Sequence, residues 1–174
     1  MRILLLILML GFYAFADSIT LPDNFKADFT QKITNAKKKV INYNGKVYFS
    51  DKKLQKWEFL KPTKKEVCTT DKELIVVDHD LEQVSYYRMK KGFNLRKILT
   101  KAKFHKKNIY VATYLDIRYT IQLDAKGHLH SFAFFDELDN KVQIVFKKIK
   151  YGKGKLSKKT MSCPVPKGYD VIRG

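Results

Sequence analysis

The sequence predicts a mainly β protein, with about ten strands in a curved antiparallel sheet or incomplete barrel that carries one helical insert. Three observations lead to this expectation: apolar and polar residues alternate along several segments, short turn-forming sequences separate them, and 174 residues allow one core of ordinary size. A large antiparallel sheet must curl or close to bury one face. We therefore expect a single domain that spans residues 17–174.

The first sixteen residues have the pattern of a cleavable export signal. Arg2 precedes an apolar run over residues 3–15, and Ala14 and Ala16 form a small-residue cleavage site. The run is shorter than the roughly 18 residues that a membrane-spanning helix requires. Phe12, rather than a lipid-accepting cysteine, follows Gly11. We therefore expect that residues 1–16 are removed and that the exported chain carries no lipid anchor.

Strand patterning is clearest at three places in the rest of the chain. Apolar residues there occupy alternate positions, which gives each strand one buried and one solvated face. These residues are Phe25, Ala27 and Phe29; Ile117, Tyr119, Ile121 and Leu123; and Val142, Ile144 and Phe146. Turn-forming residues separate the predicted strands at Asn44-Gly45, Lys61-Pro62, Thr70-Asp71, Asp78-His79-Asp80, Ala125-Lys126-Gly127 and Asp139-Asn140.

One segment, residues 92–103, departs from this alternation. Its apolar residues Phe93, Leu95, Ile98, Leu99 and Ala102 are spaced as on one face of a helix. The spacing predicts a short amphipathic helix between two strands. Near the C-terminus, Pro164 and Pro166 are expected to mark the end of regular strand pairing.

The chain is strongly basic, with 35 lysines and arginines against 17 acidic residues and a net charge of +18. Only five of these cations are arginine, the residue that nucleic-acid sites favour, and the lysines are scattered as pairs and triplets near the expected turns. This distribution favours a solvated surface with protected sheet edges over a nucleic-acid site. A general attraction to anionic membranes or acidic proteins also follows from the charge.

The two cysteines, Cys68 and Cys163, allow one disulfide. An exported protein meets the oxidising conditions that a disulfide needs, and an even number of cysteines fits a bridge. Two buried free thiols are the alternative.

The sequence lacks the motifs that carry common enzyme chemistry. It contains no G-x-S-x-G, no phosphate-binding glycine loop and no H-E-x-x-H. His128 and His130 share a strand face and His79 lies in a turn, but the further ligands of a structural zinc site are missing. We therefore expect no enzyme activity, no cofactor and no metal.

Aromatic residues are abundant, and twenty of the 23 follow the export signal. They predict either an unusually rich core or an apolar pocket on the concave side of the sheet. If there is a pocket, we expect aromatic strand residues to form it and the apolar face of the helix to cover it. The residues are Phe29, Phe49, Trp57 and Phe59 on the strands, and Phe93, Leu95, Ile98 and Leu99 on the helix.

Five short segments together resemble one family. They are FKADFTQ (residues 25–31), GKVYF (45–49), WEFLKP (57–62), DHDLEQV (78–84) and PKGYDV (166–171). In order and spacing they resemble the LolA family of periplasmic lipoprotein carriers, and the likeness spans nearly the whole exported chain. Each segment is unspecific alone, whereas five in order behind an export signal are fairly specific.

The resemblance implies a half-open antiparallel barrel of about ten or eleven strands with short lid helices. Its hydrophobic cavity would receive the acyl chains of lipoproteins. The implied partners are these lipoproteins, an ATP-driven lipoprotein-releasing transporter of the inner membrane and a lipoprotein acceptor of the outer membrane, and the expected state is a monomer. Lys56 stands where the family commonly has an arginine that hydrogen-bonds to hold the lid closed, so the resemblance implies a lid latch at Lys56.

Three other functions fit the sequence less well. A periplasmic protein that binds another lipid or a glycolipid in the same cavity is the main alternative. A cationic envelope protein that binds anionic polymers would show salt-sensitive polyanion binding and no apolar cavity. An enzyme comes last, because no nucleophile or metal cluster is evident.

Overall fold

The computed structural model describes residue 19 and residues 21–50, 54–70, 73–88 and 94–174. It contains twelve strands and two short helices. In chain order these are β1 (Asn24–Thr34), β2 (Val40–Ser50), β3 (Leu54–Lys61), β4 (Lys65–Thr69), β5 (Glu73–Asp78), β6 (Gln83–Arg88), α1 (Leu95–Thr100), β7 (Lys103–Lys106), β8 (Ile109–Tyr114), β9 (Ile117–Leu123), β10 (Leu129–Phe135), β11 (Lys141–Gly152), α2 (Lys158–Met161) and β12 (Asp170–Arg173). In these ranges, neither helix has the length and apolar character to cross a membrane.

All twelve strands form one open sheet, with the order β12-β6-β5-β4-β3-β2-β1-β11-β10-β9-β8-β7. Every pairing is antiparallel except that of β12 with β6, which is parallel. The mainly β, half-open architecture predicted from the sequence is confirmed. The strand number exceeds the expected ten or eleven.

The inner face of the sheet, defined by Phe29 on β1 and Phe146 on β11, holds the main core. The predicted alternation is confirmed in β1, where Phe25, Ala27 and Phe29 are buried, and it recurs in β9 and β11. Each buried phenylalanine of this core contributes about 1.5–3 kcal/mol by leaving water. The sheet therefore curls around a continuous apolar core.

Helix α1 lies within the segment predicted to be helical, and it joins this main core. Leu95, Ile98 and Leu99 have only 0–2% of their surface exposed. Asn94 caps the helix, since its side-chain oxygen accepts a hydrogen bond from the backbone N–H of Lys97. The amphipathic face thus packs inward as expected.

The turn predicted at Asn44-Gly45 is wrong, because both residues lie inside β2. The register between β2 and β3 shifts between these two residues, so they mark a bulge. A Cβ atom at Gly45 would overlap the carbonyl oxygen of Glu58 on β3. Glycine is needed here for a close backbone approach and not for a turn. The actual hairpin turn occupies residues 35–39.

The C-terminal segment, residues 157–173, begins on the outer face of the sheet, where it contacts Lys56 and Cys68, and ends as β12 at the sheet edge beside β6. We refer to it as the C-terminal clasp. It forms a small second core in which Cys163 contacts Cys68, Val77 and Val84. The expectation that pairing ends near Pro164 and Pro166 is wrong. Strand β12 follows the two prolines and pairs with β6, which accounts for the twelfth strand.

Candidate functional site

A pocket of about 680 Å³ opens on the inner face of the sheet. Most of its lining is apolar and comes from two sides of the curled sheet, β3 and β4 on one side and β9 to β11 with their hairpin tips on the other, with Gln31 of β1 between them. The lining residues are Gln31, Trp57, Phe59, Val67, Leu115, Asp116, Ile117, Tyr119, Phe134, Asp136, Glu137, Leu138 and Ile144. Its volume lies within the range of pockets that bind small ligands, about 300–1,000 Å³.

The wall formed by β3 rests on aromatic contacts. The ring of Phe29, which is fully buried, meets Trp57 edge-on at a centroid distance of 5.0 Å and Phe59 at 5.2 Å. Edge-to-face pairs of this kind add about 0.5–1.5 kcal/mol to the effect of burial. Contact with Phe29 therefore fixes the two half-buried rings of β3, and the part of each ring that Phe29 does not cover lines the pocket.

The rim of the pocket is formed by two hairpin tips. Leu115 and Asp116 connect β8 to β9, and both have positive φ angles, 51° and 62°. This conformation suits a two-residue hairpin but disfavours a leucine. Leu138, at the tip between β10 and β11, is 79% exposed. Two exposed leucines thus stand at the mouth of an apolar pocket.

Two polar residues of the pocket lining, Asp136 and Tyr119, have pKa values shifted by their surroundings. Burial opposes ionisation of Asp136, but hydrogen bonds from Asn140 and from the backbone N–H of Leu138 outweigh it and lower the pKa of this carboxyl. Burial, with a smaller effect of Tyr114, raises the pKa of Tyr119, so its hydroxyl stays neutral.

The structure brings together only part of the predicted cavity. Trp57 and Phe59 line the pocket, whereas Phe29, Phe49, Leu95, Ile98 and Leu99 are buried in the main core. Phe93 lies outside the described residues. Sequence reasoning missed Leu115, Phe134 and Leu138, because nothing local shows that their hairpins face β3 across the curl.

Lys56 is buried on the outer face of β3, opposite Trp57. Its ammonium group donates a hydrogen bond to the carbonyl oxygen of Ser162 at 3.0 Å and pairs with Glu66 at 2.8 Å and Glu58 at 3.2 Å. Burial opposes its charge, but the two carboxylates outweigh burial and raise the pKa of Lys56. Lys56 thus binds the C-terminal clasp, and its polar contacts within the described part of the chain involve no residue of α1, the helix predicted as the lid.

The two cysteines join the same clasp to β4. Their sulfur atoms are 2.06 Å apart, so the structure contains the Cys68–Cys163 disulfide. His79 adds a contact between its Nδ1 atom and the Tyr169 hydroxyl at 3.0 Å. In the described ranges, no three histidine, cysteine or acidic residues are grouped so that they could hold a metal ion.

Comparison with known proteins places most of the chain beside one family of proteins. Residues 22–112 match the family model described as "Outer membrane lipoprotein carrier protein LolA". An outer-membrane lipoprotein carrier protein of Wolinella succinogenes is 33% identical over 147 residues, which cover 84% of this chain and 85% of the relative. A protein of the same name from Campylobacter jejuni is 31% identical over 87% of both chains.

A solved structure has a similar fold. An uncharacterised conserved protein from Thermus thermophilus superposes with a TM-score of 0.56, over 88% of this chain and 92% of that chain. Its sequence is only 18% identical, so this likeness concerns the architecture alone.

Proposed function

Starting from the fact that this chain belongs to the LolA family of outer-membrane lipoprotein carriers, we propose that its inner pocket holds the acyl chains of lipoproteins. The protein then acts by binding and not by catalysis, in the periplasm, after removal of residues 1–16. The observation that carries this proposal is the largely apolar pocket between β3 and β9–β11.

The physical need for such a pocket is large. Each CH₂ group of an acyl chain that leaves a membrane for water costs about 0.8 kcal/mol. A lipoprotein with long chains would face a cost of tens of kcal/mol in the aqueous periplasm without cover. An apolar pocket that covers the acyl chains removes most of this cost. Because it contacts only the acyl chains and forms no specific hydrogen bonds, it can accept lipoproteins whose polypeptides differ.

The lining chemistry supports release as well as binding. Delivery to an acceptor requires that the carrier binds less tightly than the acceptor does. Leu115 occupies a backbone conformation that disfavours it, and Leu138 is largely exposed, so the rim is not optimised for stability. We propose that an ATP-driven transporter of the inner membrane loads this pocket and that an outer-membrane acceptor empties it.

Lys56 supports the pocket indirectly in this proposal. It lies next to Trp57 along β3 and fixes the outer face of that strand to the C-terminal clasp. A latch at this position therefore acts on the outer face of β3, whereas the pocket lies on the inner face of the same strand. Any effect on cargo passes through the orientation of β3.

The test is binding of a fluorescent diacylated peptide to the purified protein. Phe134→Glu places a charge in the pocket lining, and we expect at least a tenfold loss of affinity because the acyl chain would meet an unpaired carboxylate. Phe104→Glu, at a phenylalanine that is 57% exposed and outside the pocket, is the control. Equal affinities of folded Phe134→Glu and wild type would reject the pocket as the acyl site. Tight binding of free lipids, with no acylated peptide bound, would favour the alternative lipid-binding function.

A further inference from the structure

Exposed apolar side chains concentrate at one end of the sheet. Among the described residues, twelve large apolar side chains are exposed, and seven of them lie in or beside the hairpin tips at the end where the pocket opens. These seven are Val40, Ile41, Leu60, Leu81, Leu115, Phe135 and Leu138. A solvated protein end has no folding reason to collect such residues, and apolar surface next to a pocket mouth marks an interaction site.

Two neighbouring tips at this end also carry lysines. The β1–β2 tip has Lys37, Lys38 and Lys39, and the β3–β4 tip has Lys61 and Lys64. All five side chains are exposed, and residues 35–44 and 59–65 contain no acidic residue. We refer to residues 36–41 and 60–64 as the rim patch. It combines five positive charges with Val40, Ile41 and Leu60, which are 44–50% exposed.

The rim patch is held in a defined shape. The side chain of Asn35 accepts a hydrogen bond from the backbone N–H of Lys39 at 2.9 Å, and Lys38 takes the positive φ that closes the turn. Pairing of β2 with β3 ends at Asn44 and Lys61, so the β1–β2 hairpin projects beyond β3. Lys37, Lys38 and Lys39 and the two β-branched residues Val40 and Ile41 therefore stand out from the pocket end on this hairpin.

We propose that the rim patch docks the pocket end of the protein onto an anionic lipid surface. Apolar residues that enter the headgroup boundary, flanked by lysines that pair with anionic headgroups, are the combination that peripheral membrane binding requires. Docking in this position sets the pocket mouth against the lipid from which acyl chains leave or which they enter. The inference goes beyond cargo binding and does not depend on what the pocket holds.

The acidic residues at this end lie on the flanking tips. Asp80 and Glu82 are on the β5–β6 tip, Asp116 is on the β8–β9 tip, and Asp136, Glu137 and Asp139 are on the β10–β11 tip. The carboxylate of Asp80 accepts a hydrogen bond from the backbone N–H of Lys64, and that of Asp136 closes its own turn. Asp80 therefore opposes part of the positive charge of the β3–β4 tip, whereas no acidic residue lies within residues 35–44 of the β1–β2 hairpin. The excess of positive charge on this hairpin favours an anionic lipid surface over an oppositely patterned protein partner as the occupant.

The experiment is flotation of the cargo-free protein with vesicles of phosphatidylcholine, alone or mixed with phosphatidylglycerol. We expect binding to the anionic vesicles only, with a decrease as salt is added. The variant Lys37→Gln/Lys38→Gln/Lys39→Gln should bind on the order of 100-fold more weakly, since each lysine near an anionic surface contributes about a factor of five. The control Lys106→Gln/Lys107→Gln/Lys126→Gln has the same net charge but removes exposed lysines from tips at the opposite end.

Each result decides the proposal. Equal weakening of the two triple variants would show that total charge alone attracts the protein, which overturns docking through the rim patch. Absence of binding to anionic vesicles also overturns lipid docking. This holds even if the rim patch binds an envelope protein. Ile41→Ser should reduce binding several-fold, whereas Val171→Ser, at an equally exposed position on β12, should not. Folding of every variant is checked by circular dichroism.

Discussion

The inner and outer faces of the sheet hold their covering segments in different ways. On the inner face, α1 is held by fully buried apolar side chains such as Ile98. On the outer face, the C-terminal clasp has only a small apolar cluster and adds the Cys68–Cys163 disulfide and the hydrogen bond from Lys56 to the carbonyl oxygen of Ser162. Apolar contacts are non-directional, whereas the clasp depends on a covalent bond and on hydrogen bonds of defined geometry.

The difference has a physical reason. The clasp contributes few buried apolar side chains, too few to offset the entropy lost when it becomes ordered, whereas α1 buries three. On the outer face, the disulfide and the hydrogen bond from Lys56 therefore supply stabilisation that buried apolar area does not. On the inner face, the excess of apolar surface keeps the sheet curled and leaves part of that surface as a pocket, where contents of different shape can be accommodated.

The largest expected effect comes from a charge in the inner core. Ile98→Glu buries an unpaired carboxylate at a position with 0% exposure, so we expect a loss of more than about 4 kcal/mol and an unfolded protein. Circular dichroism and thermal unfolding provide the measurement. Arg96→Glu, at an exposed position of the same helix, should remain folded. A folded Ile98→Glu protein would show that α1 is a loose lid and not part of the core.

The disulfide should have the next largest effect. Replacing both Cys68 and Cys163 by serine removes a link across 95 residues of sequence, and we expect a loss of about 2–4 kcal/mol, because the unfolded chain gains freedom. Urea unfolding of the double variant and of wild type measures this change. Acyl-peptide binding should stay within twofold of wild type, since the bridge lies on the outer face. A loss of binding at full folding would mean that the two faces are coupled.

Removing the charge of Lys56 should have a moderate effect. Lys56→Met leaves Glu58 and Glu66 side by side without their cation, and we expect a loss of about 2 kcal/mol. Adding Glu66→Gln to Lys56→Met should recover part of the loss, because one of the two facing charges is then gone. Equal stability of the single and double variants would show that Lys56 stabilises the fold only by packing and not by neutralising the two carboxylates.

The pH dependence provides a second measurement of the Lys56 contacts. The folded state raises the pKa of Lys56 above its ordinary value of 10.5. A raised pKa means that the stabilisation is fully present below pH 10.5 and is lost as the pH rises through the folded-state pKa. The stability difference between wild type and Lys56→Met should therefore be constant at neutral pH and shrink in alkaline solution.

The smallest effect on stability is expected at the rim of the pocket. Leu138→Ser changes a side chain that is 79% exposed, so the free energy of unfolding should change by less than about 0.5 kcal/mol. Affinity for a diacylated peptide should nevertheless fall, because Leu138 lines the mouth. A variant that binds as tightly as wild type would remove this rim from the binding site.

Local patterns predicted the inner-face strands well, because alternation in β1, β9 and β11 directly reflects burial on one face. The same patterns misread Asn44-Gly45, where glycine serves a close contact between β2 and Glu58 and not a turn. They also missed β12, a four-residue strand whose partner β6 is distant in sequence. Only the three-dimensional curl shows which residues meet across the pocket.

The helix shows a further limit of sequence reasoning. Apolar residues at helical spacing indicate that one face of α1 is covered, but they do not distinguish a core from the wall of a cavity. The structure places Leu95, Ile98 and Leu99 in the core, while the pocket lies beside the aromatic residues of β3. The sequence position of Lys56 next to Trp57 correctly placed it on the strand that forms the pocket wall. Because side chains alternate between the two faces of a strand, however, Lys56 lies on the outer face and Trp57 on the inner one.

Site-specific photo-crosslinking in the periplasm tests most directly the claim that cargo uses the inner face and not the outer one. A photoreactive phenylalanine analogue replaces Leu138 at the pocket mouth or Val165 on the C-terminal clasp, which are both exposed. We expect crosslinks from position 138 to acylated proteins, identified by mass spectrometry, and none from position 165. Crosslinks to acylated proteins from position 165 alone, or equally from both positions, would contradict the account.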